Sequence, residues 1–370
     1  LLYTLFYLKN LDALSRFSAF LAKVTPLAKD LAKAAMDAQR LNRNKSILTK
    51  GISNVLKNNK QKFWVLIDDV DRASITKQQS YDYSVCWAIV AATIQLANDF
   101  AEIRSLISVR TDIWHTMTVG KKHGSDILDK IQTPVYLRFS EEELGDVFFK
   151  RIELANKEAI GNYKRDLTTF FELKTLKLPG TSELVRSWDF WIRKQSRNRP
   201  RDMVQLVQQL IEKAEDHENE VIKSEDAYDI MLDYANERIT NIEREYREIC
   251  PQIKAIIKDL SAEKLYQFDE LIKILKAVPS NRRIVIDNAA LSPDTNDAAI
   301  KILHVLHMCN FINARVENNA NDDEYDHILF SQRPDLVSDV NWNEMQKYKW
   351  EIHPVFHPYI HEMKTNTYKF

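Results

Sequence analysis

The stretch FWVLIDDVDR, Phe63 to Arg72, decides the reading of this chain. Its first five residues are wholly apolar and rich in β-branched and aromatic side chains, which predicts a strand buried on both faces. The run stops abruptly at Asp68 and Asp69, with Asp71 and Arg72 close behind. In an open α/β sheet, ligands lie just outside the carboxyl ends of the strands. Two adjacent carboxylates there repel one another unless a cation or a proton intervenes. One carboxylate holding Mg²⁺ while the next acts on water is the arrangement of nucleotide hydrolysis. The plainer alternative is that the aspartates end a strand and cap the next helix. A cap, however, needs only one of the three.

Downstream, an apolar helix is predicted at about Tyr83–Phe100, followed by a second strand at Arg104–Val109 (RSLISV) and a third at Thr133–Phe139 (TPVYLRF). A short helix near Ile113 and the polar loop VGKKHGSD separate these two strands. Strand and helix alternating at this spacing predict a parallel sheet. The second strand runs into Arg110, Thr111 and Asp112, so Arg110 would face the same crevice as Asp68 if the strands are neighbours.

Upstream, residues 1–60 read as three helices, broken at Pro26 and around Asn42–Lys45. The opening LLYTLFYL is apolar for only eight residues before Lys9, Asn10 and Asp12, against about 20 needed to span a bilayer. Leu1, Leu5, Leu8, Leu11 and Leu14 follow helical spacing instead. The start lacks the basic region and small-residue cleavage site of a secretion signal. Neither secretion nor a membrane span is expected, and a start at leucine rather than methionine leads one to expect a fragment or a trimmed chain.

Composition bounds the rest. The chain has 370 residues, 45% hydrophobic and 28% charged, with 52 Lys+Arg against 53 Asp+Glu. That length suits two or three domains, and the mean hydropathy of -0.39 is that of a soluble chain. The balanced charge argues against a whole-chain nucleic-acid binder. Cys86, Cys250 and Cys309 are odd in number and far apart, so no disulfide framework is expected and a reducing cytoplasm is the simplest location. Only 6 residues are glycine, against a usual share of about 7%. Such a chain is expected to be mostly helical and poorly supplied for glycine-rich loops.

After Ser140 the character changes. Ser140 with Glu143 forms a capping box that opens a helix to about Asn156. Leu178-Pro-Gly180 and Thr181 punctuate the chain before helices near Ser182–Lys194 and Pro200–Asp216. Ser224 with Asp226 opens another towards Glu248, so this middle region reads as all-helical. From Pro251, helices are predicted at Gln252–Leu260, Ala262–Ala277 and Asp294–Cys309. FINARV (Phe311–Val316), the acidic loop ENNANDDE and YDHILF (Tyr325–Phe330) then form a β-hairpin, which is the winged-helix order.

A second chemical signal is QSRNRPRDM, where Arg193, Lys194, Arg197, Arg199 and Arg201 crowd the start of a helix opening at Pro200. Cations there oppose the helix dipole unless an anion sits among them. Phosphate suits arginine's fork, and a solvated basic loop is the bland alternative. Histidines also invite a metal reading, in HVLHMC (His304, His307, Cys309) and at His353, His357 and His361. Pro354 and Pro358 interrupt the helix that the latter spacing requires, and His304 reads as packed core. Cys86 lies in an apolar helix, where a thiol behaves as a small hydrophobe.

Together, a strand ending IDDVDR, a strand ending VRTDIW, a helical region with RPRD and a winged helix resemble bacterial P-loop ATPases of the STAND and KAP-like group, relatives of AAA+ proteins. The resemblance spans roughly residues 60–360, with its specific motifs in about thirty of them. It implies an α/β plus α chain: a P-loop core at 1–140, a helical lid at 141–250 and a winged-helix domain at 251–370. It implies Asp68 as the Walker B magnesium ligand, Asp69 as the acid that polarises water, Arg110 as sensor 1, and Arg199 or Arg201 as sensor 2. It further implies ATP and Mg²⁺ as cofactors, homo-oligomers or a protein partner, and service in defence against phage.

The family cradles phosphates with GxxxxGK followed by Ser or Thr, and no such run occurs here; Gly120-Lys121-Lys122 lies after the second strand. In the family that loop precedes the Walker B strand, so either it lies upstream of Leu1, which the non-methionine start favours, or it is lost. A degenerate ATPase-fold scaffold and a DNA-associated regulator stay open beside the ATPase. DNA is not favoured, because the helix DAAIKILHVLHMCN offers only Lys301 as a basic charge and the wing is acidic. Arg282 and Arg283 are the other basic candidates.

Overall fold

The computed structural model describes residues 53–54, 62–70, 83–119, 134–177, 185–260, 263–317 and 325–367. Asp71, Arg72, the helices expected in 1–52, the loop VGKKHGSD, the Leu178–Thr181 punctuation and the hairpin tip lie outside these residues. The chain divides into two compact units, residues 1–136 and 137–370.

In the first unit, β1 (Phe63–Ile67) and β2 (Ile103–Ile107) are joined by α1 (Tyr83–Asp99), and α2 (Thr111–Val119) follows. The strands are parallel and paired residue for residue from Phe63–Ile103 to Ile67–Ile107. Phe63 and Val65 pack on Leu96, Phe100 and Ile103, while Ile67 joins Val70, Cys86, Trp87, Ile113 and Met117. The expectation of burial on both faces is corrected. Trp64 is 65% exposed and Leu66 70%, because α1 covers one face only. The third expected strand is corrected too. Residues 134–140 form no strand, and Val135 and Leu137 are 88% and 90% exposed. Pro134 removes a ladder donor at its start, which disfavours a central strand.

The second unit opens with α3 (Glu141–Ile160), held by the expected capping box. The Ser140 hydroxyl accepts the Glu143 N–H at 3.1 Å, and the Glu143 carboxylate accepts the Ser140 N–H at 2.8 Å. Gly161, at φ 70°, closes the helix in the left-handed conformation that suits glycine. The short antiparallel pair β3 (Thr175–Lys177) and β4 (Val185–Ser187) corrects the all-helical expectation for this region. Helices α4 (Trp188–Gln195), α5 (Pro200–Asp216) and α6 (Ser224–Tyr246) follow. Their apolar faces meet around Phe148, Phe171, Trp188, Trp191, Leu206 and Tyr234, all buried.

Next come α7 (Ile253–Asp259), β5 (Leu265–Gln267), α8 (Phe268–Asn281), β6 (Val285–Ile286), β7 (Ala289–Ala290), α9 (Asn296–Met308), β8 (Ile312–Glu317) and β9 (Tyr325–Ile328). The helix expected from Ala262 therefore starts at Phe268, its first turn being given to β5. A short helix α10 (Trp342–Met345), the strand β10 (Lys349–Ile352), a 3-10 turn (Pro354–Phe356) and α11 (His357–Thr367) complete the chain. The expected hairpin is β8 against β9, but it belongs to a larger antiparallel sheet in the order β5-β10-β8-β9. Trp350 on β10, fully buried, stands between Tyr266 and Ala314 and centres the core beneath α8 and α9.

Candidate functional site

The in-register pairing of β1 and β2 puts their carboxyl ends side by side. The Ile67 carbonyl accepts the Ser108 N–H at 2.9 Å. One step on, the Ser108 hydroxyl donates to Asp68 Oδ1, which also accepts the Asp69 N–H at 2.9 Å. Asp69 then adopts φ 54°, a left-handed value that aspartate tolerates better than most residues. That reversal lets Val70 turn back into the core while both carboxylates stay exposed. Neighbouring parallel strands thus deliver Asp68, Asp69 and Ser108 to one sheet end. The sequence reading named the two aspartates and placed Ser108 inside the second strand, Arg104–Val109, whereas β2 ends at Ile107.

Arg110 lies at the same end, but its guanidinium is held in a fork by Asp112. Nε and Nη2 donate to the two carboxylate oxygens at 3.1 and 2.5 Å. Asp112 is buried in the first turn of α2, where an acid complements the helix dipole. The strands are neighbours, as the reading of Arg110 required, and the arginine's charge is met by a carboxylate two residues on, in the first turn of α2.

Arg199 and Arg201 belong to the second unit. The basic cluster that contains them has anions of its own. Arg193 pairs with Asp189 at 3.1 Å, Lys194 with Glu141 at 2.6 Å and Arg199 with Glu245 at 3.3 Å. Arg197, buried and at φ 50°, reaches Asp202 at 2.6 Å. Arg238, fully buried, donates to the other oxygen of Asp202 at 2.7 Å and to Gln205 at 2.7 Å. The Tyr234 hydroxyl donates to the Asp202 carbonyl at 3.0 Å. Burial alone would raise the Asp202 pKa, but Arg197, Arg199 and Arg238 hold its carboxyl below the usual range. Burial likewise works against the charge on Arg199, and Glu245, Tyr246 and Asp202 more than restore it. In the fold the anions that meet Arg193, Lys194, Arg197 and Arg199 are carboxylates, where the sequence suggests phosphate. Arg201 is exposed on the first turn of α5.

The histidine groups of the sequence do not converge. The His304 Nδ1 meets the Val337 carbonyl at 3.1 Å, His307 is buried against Phe330 and Trp350, and the Cys309 thiol faces the Leu306 carbonyl. Burial, then His304, pushes the His307 pKa down to about 4. Among the described residues, the ligand atoms of His217, Glu225 and Asp226 lie within 4.8 Å of one another. Asp226 there accepts both the His217 ring at 2.6 Å and the Lys223 N–H at 2.7 Å, so it serves as the cap of α6. An apolar groove of about 590 Å³ runs between α3 and α5, lined by Phe148, Ile152, Phe171, Met203, Val207 and Ile211. Two of the basic candidates for duplex contact are paired as well: Lys301 with Asp297 at 2.8 Å and Arg282 with Asp259 at 2.8 Å.

Among the described residues, no helix is long and apolar enough to cross a membrane. No family model matches the chain, and neither a curated protein nor a solved structure matches it.

Proposed function

We propose that the chain binds Mg²⁺-ATP at the carboxyl ends of β1 and β2 and hydrolyses it, acting as a nucleotide-dependent switch or assembly subunit in the cytoplasm. The observation that carries this reading is the in-register parallel pairing that places Asp68, Asp69 and Ser108 at one sheet end. Carboxylate and hydroxyl oxygens are the donors that a hard divalent cation takes. Asp68, with Ser108 beside it, would hold Mg²⁺, which when bound neutralises phosphate charge and draws electrons from the bond to be broken. Asp69 orients a water and accepts its proton. The Ser108 hydroxyl fixes the Asp68 carboxylate, and Asp112 fixes the Arg110 guanidinium at the same end. A second copy or a protein partner would complete the assembly.

The test is calorimetry with Mg²⁺-ATP and phosphate release, on the natural chain and on Asp69→Asn. Asparagine tolerates the left-handed backbone and removes the base. Turnover is expected to fall about 10²- to 10⁴-fold, with binding retained. Unchanged turnover in the variant, or no nucleotide binding, overturns the reading.

A second reading, an assembly scaffold without turnover, is favoured by the carboxylates already bound to Arg197 and Arg199. It predicts nucleotide-independent assembly that Asp69→Asn leaves intact.

A further inference from the structure

His353 follows β10 at the corner where the chain turns into the 3-10 element and α11. It is 4% exposed. Its N–H donates to the Phe311 carbonyl at 2.9 Å, and its ring Nδ1 accepts the Val355 N–H at 3.3 Å. An imidazole can accept that bond only while Nδ1 carries no proton. The ring lies 5.7 Å from that of His327 on β9 and 6.2 Å from that of Phe356. The Arg197 guanidinium, from the loop after α4, lies 5.6 Å from the Phe356 ring.

The groups around His353 include two cations and two further imidazoles, of which His357 has its own pKa pushed down to about 4, by burial first. Arg197 and Lys194 face it from α4 and its following loop, His327 from β9 and His357 from α11. The carboxylates at this corner are committed to other partners. Glu351 takes His327 at 3.0 Å, Arg315 at 3.5 Å and the Tyr325 hydroxyl at 3.3 Å. Glu141 takes Lys194 at 2.6 Å, with Asp326 a further 3.9 Å partner of that lysine, and Asp202 takes Arg197 at 2.6 Å. His357 is spent on the Ile352 carbonyl at 2.7 Å.

We infer that His353 is a proton-operated latch, whose protonation drives the β10–α11 corner off the loop at 196–199 and opens the C-terminal sheet. A proton on the ring costs the Val355 bond and adds a buried charge near Arg197 and Lys194. Burial, then His327, Arg197, His357 and Lys194, hold its pKa well below the ordinary value. The sign follows: a group that binds protons more weakly when folded favours the open state as pH falls below its unfolded pKa of about 6.5. The latch is closed at neutral pH and releases in acid.

The test is hydrogen exchange and Trp350 fluorescence of the full chain from pH 8 to pH 4, on the wild type and on His353→Gln. Glutamine stays neutral, and its amide oxygen can accept the Val355 N–H. Residues 349–357 are expected to lose protection below about pH 6.5 while α5 and α6 keep theirs. Each proton taken up on opening raises the opening constant about tenfold per pH unit, and the variant should show one proton fewer. An unchanged slope, or protection of 349–357 persisting to pH 4, overturns the latch. Should the variant not fold, the imidazole signal of His353 followed by NMR in the wild type decides. Charging at the same midpoint as corner opening supports the latch, and charging while the corner amides stay protected overturns it.

Discussion

The Ser108 hydroxyl donates to Asp68 Oδ1 across 40 residues of sequence, joining the ends of β1 and β2 by a side chain as well as by the ladder. Ser108→Ala removes this donor at an exposed position. It is expected to cost about 0.5–1.5 kcal/mol, the net worth of an ordinary hydrogen bond. On the nucleotide reading it should also weaken Mg²⁺-dependent binding, because Asp68 loses its orientation. Urea denaturation gives the first effect, and calorimetry with and without Mg²⁺ the second.

Asp202 serves two buried arginines, Arg197 and Arg238. Removing it as Asp202→Ala leaves both guanidinium groups without their shared carboxylate, and a loss of about 3–5 kcal/mol is expected. Its folded pKa is depressed, so its contribution is complete above the unfolded value of about 3.9 and is lost as pH falls through the folded one. Wild-type stability should therefore drop below about pH 4 by a share that Asp202→Asn no longer shows. Urea midpoints between pH 7 and pH 3 measure it.

His307 works in the opposite direction. Its ring is buried between Phe330 and Trp350, with its pKa pushed down to about 4. The unfolded chain takes up this proton first, so the ring destabilises the fold as pH drops from about 6.5 towards 4. His307→Leu should cut the stability lost between pH 7 and pH 5 by about 2 kcal/mol. Equal losses in both proteins would contradict it.

Local pattern carried much of this fold. The apolar run Phe63–Ile67, the Ser140–Glu143 box and the Pro200 helix start each depend on neighbours in sequence, and each lies where it was expected. The run Pro134–Phe139 looked like a strand by the same standard, yet strand formation needs a free edge to pair with, which local pattern does not supply. β10 was missed because Lys349-Trp-Glu-Ile352 is short and buries a glutamate; Glu351 is tolerated only through Arg315, His327 and Tyr325. Asp68 and Asp69 were legible as the end of a strand, whereas the partners of the arginine cluster were not. Glu245 lies 46 residues from Arg199, and Arg238 lies 36 from Asp202. No window on the sequence joins them.

Among the described residues, eight that are not glycine adopt positive φ, and six of these are Asp or Asn: Asp69, Asn198, Asp287, Asn288, Asp294 and Asn310. The scarcity of glycine thus reflects more than helix content, since the tight reversals are given to aspartate and asparagine. Each such position holds conformational strain of about 1 kcal/mol, less for these two residue types than for others. The chain therefore carries an unspent margin of heat tolerance in its turns, reachable by glycine at sites such as Glu218 or Asn288 that lie outside the Asp202 network.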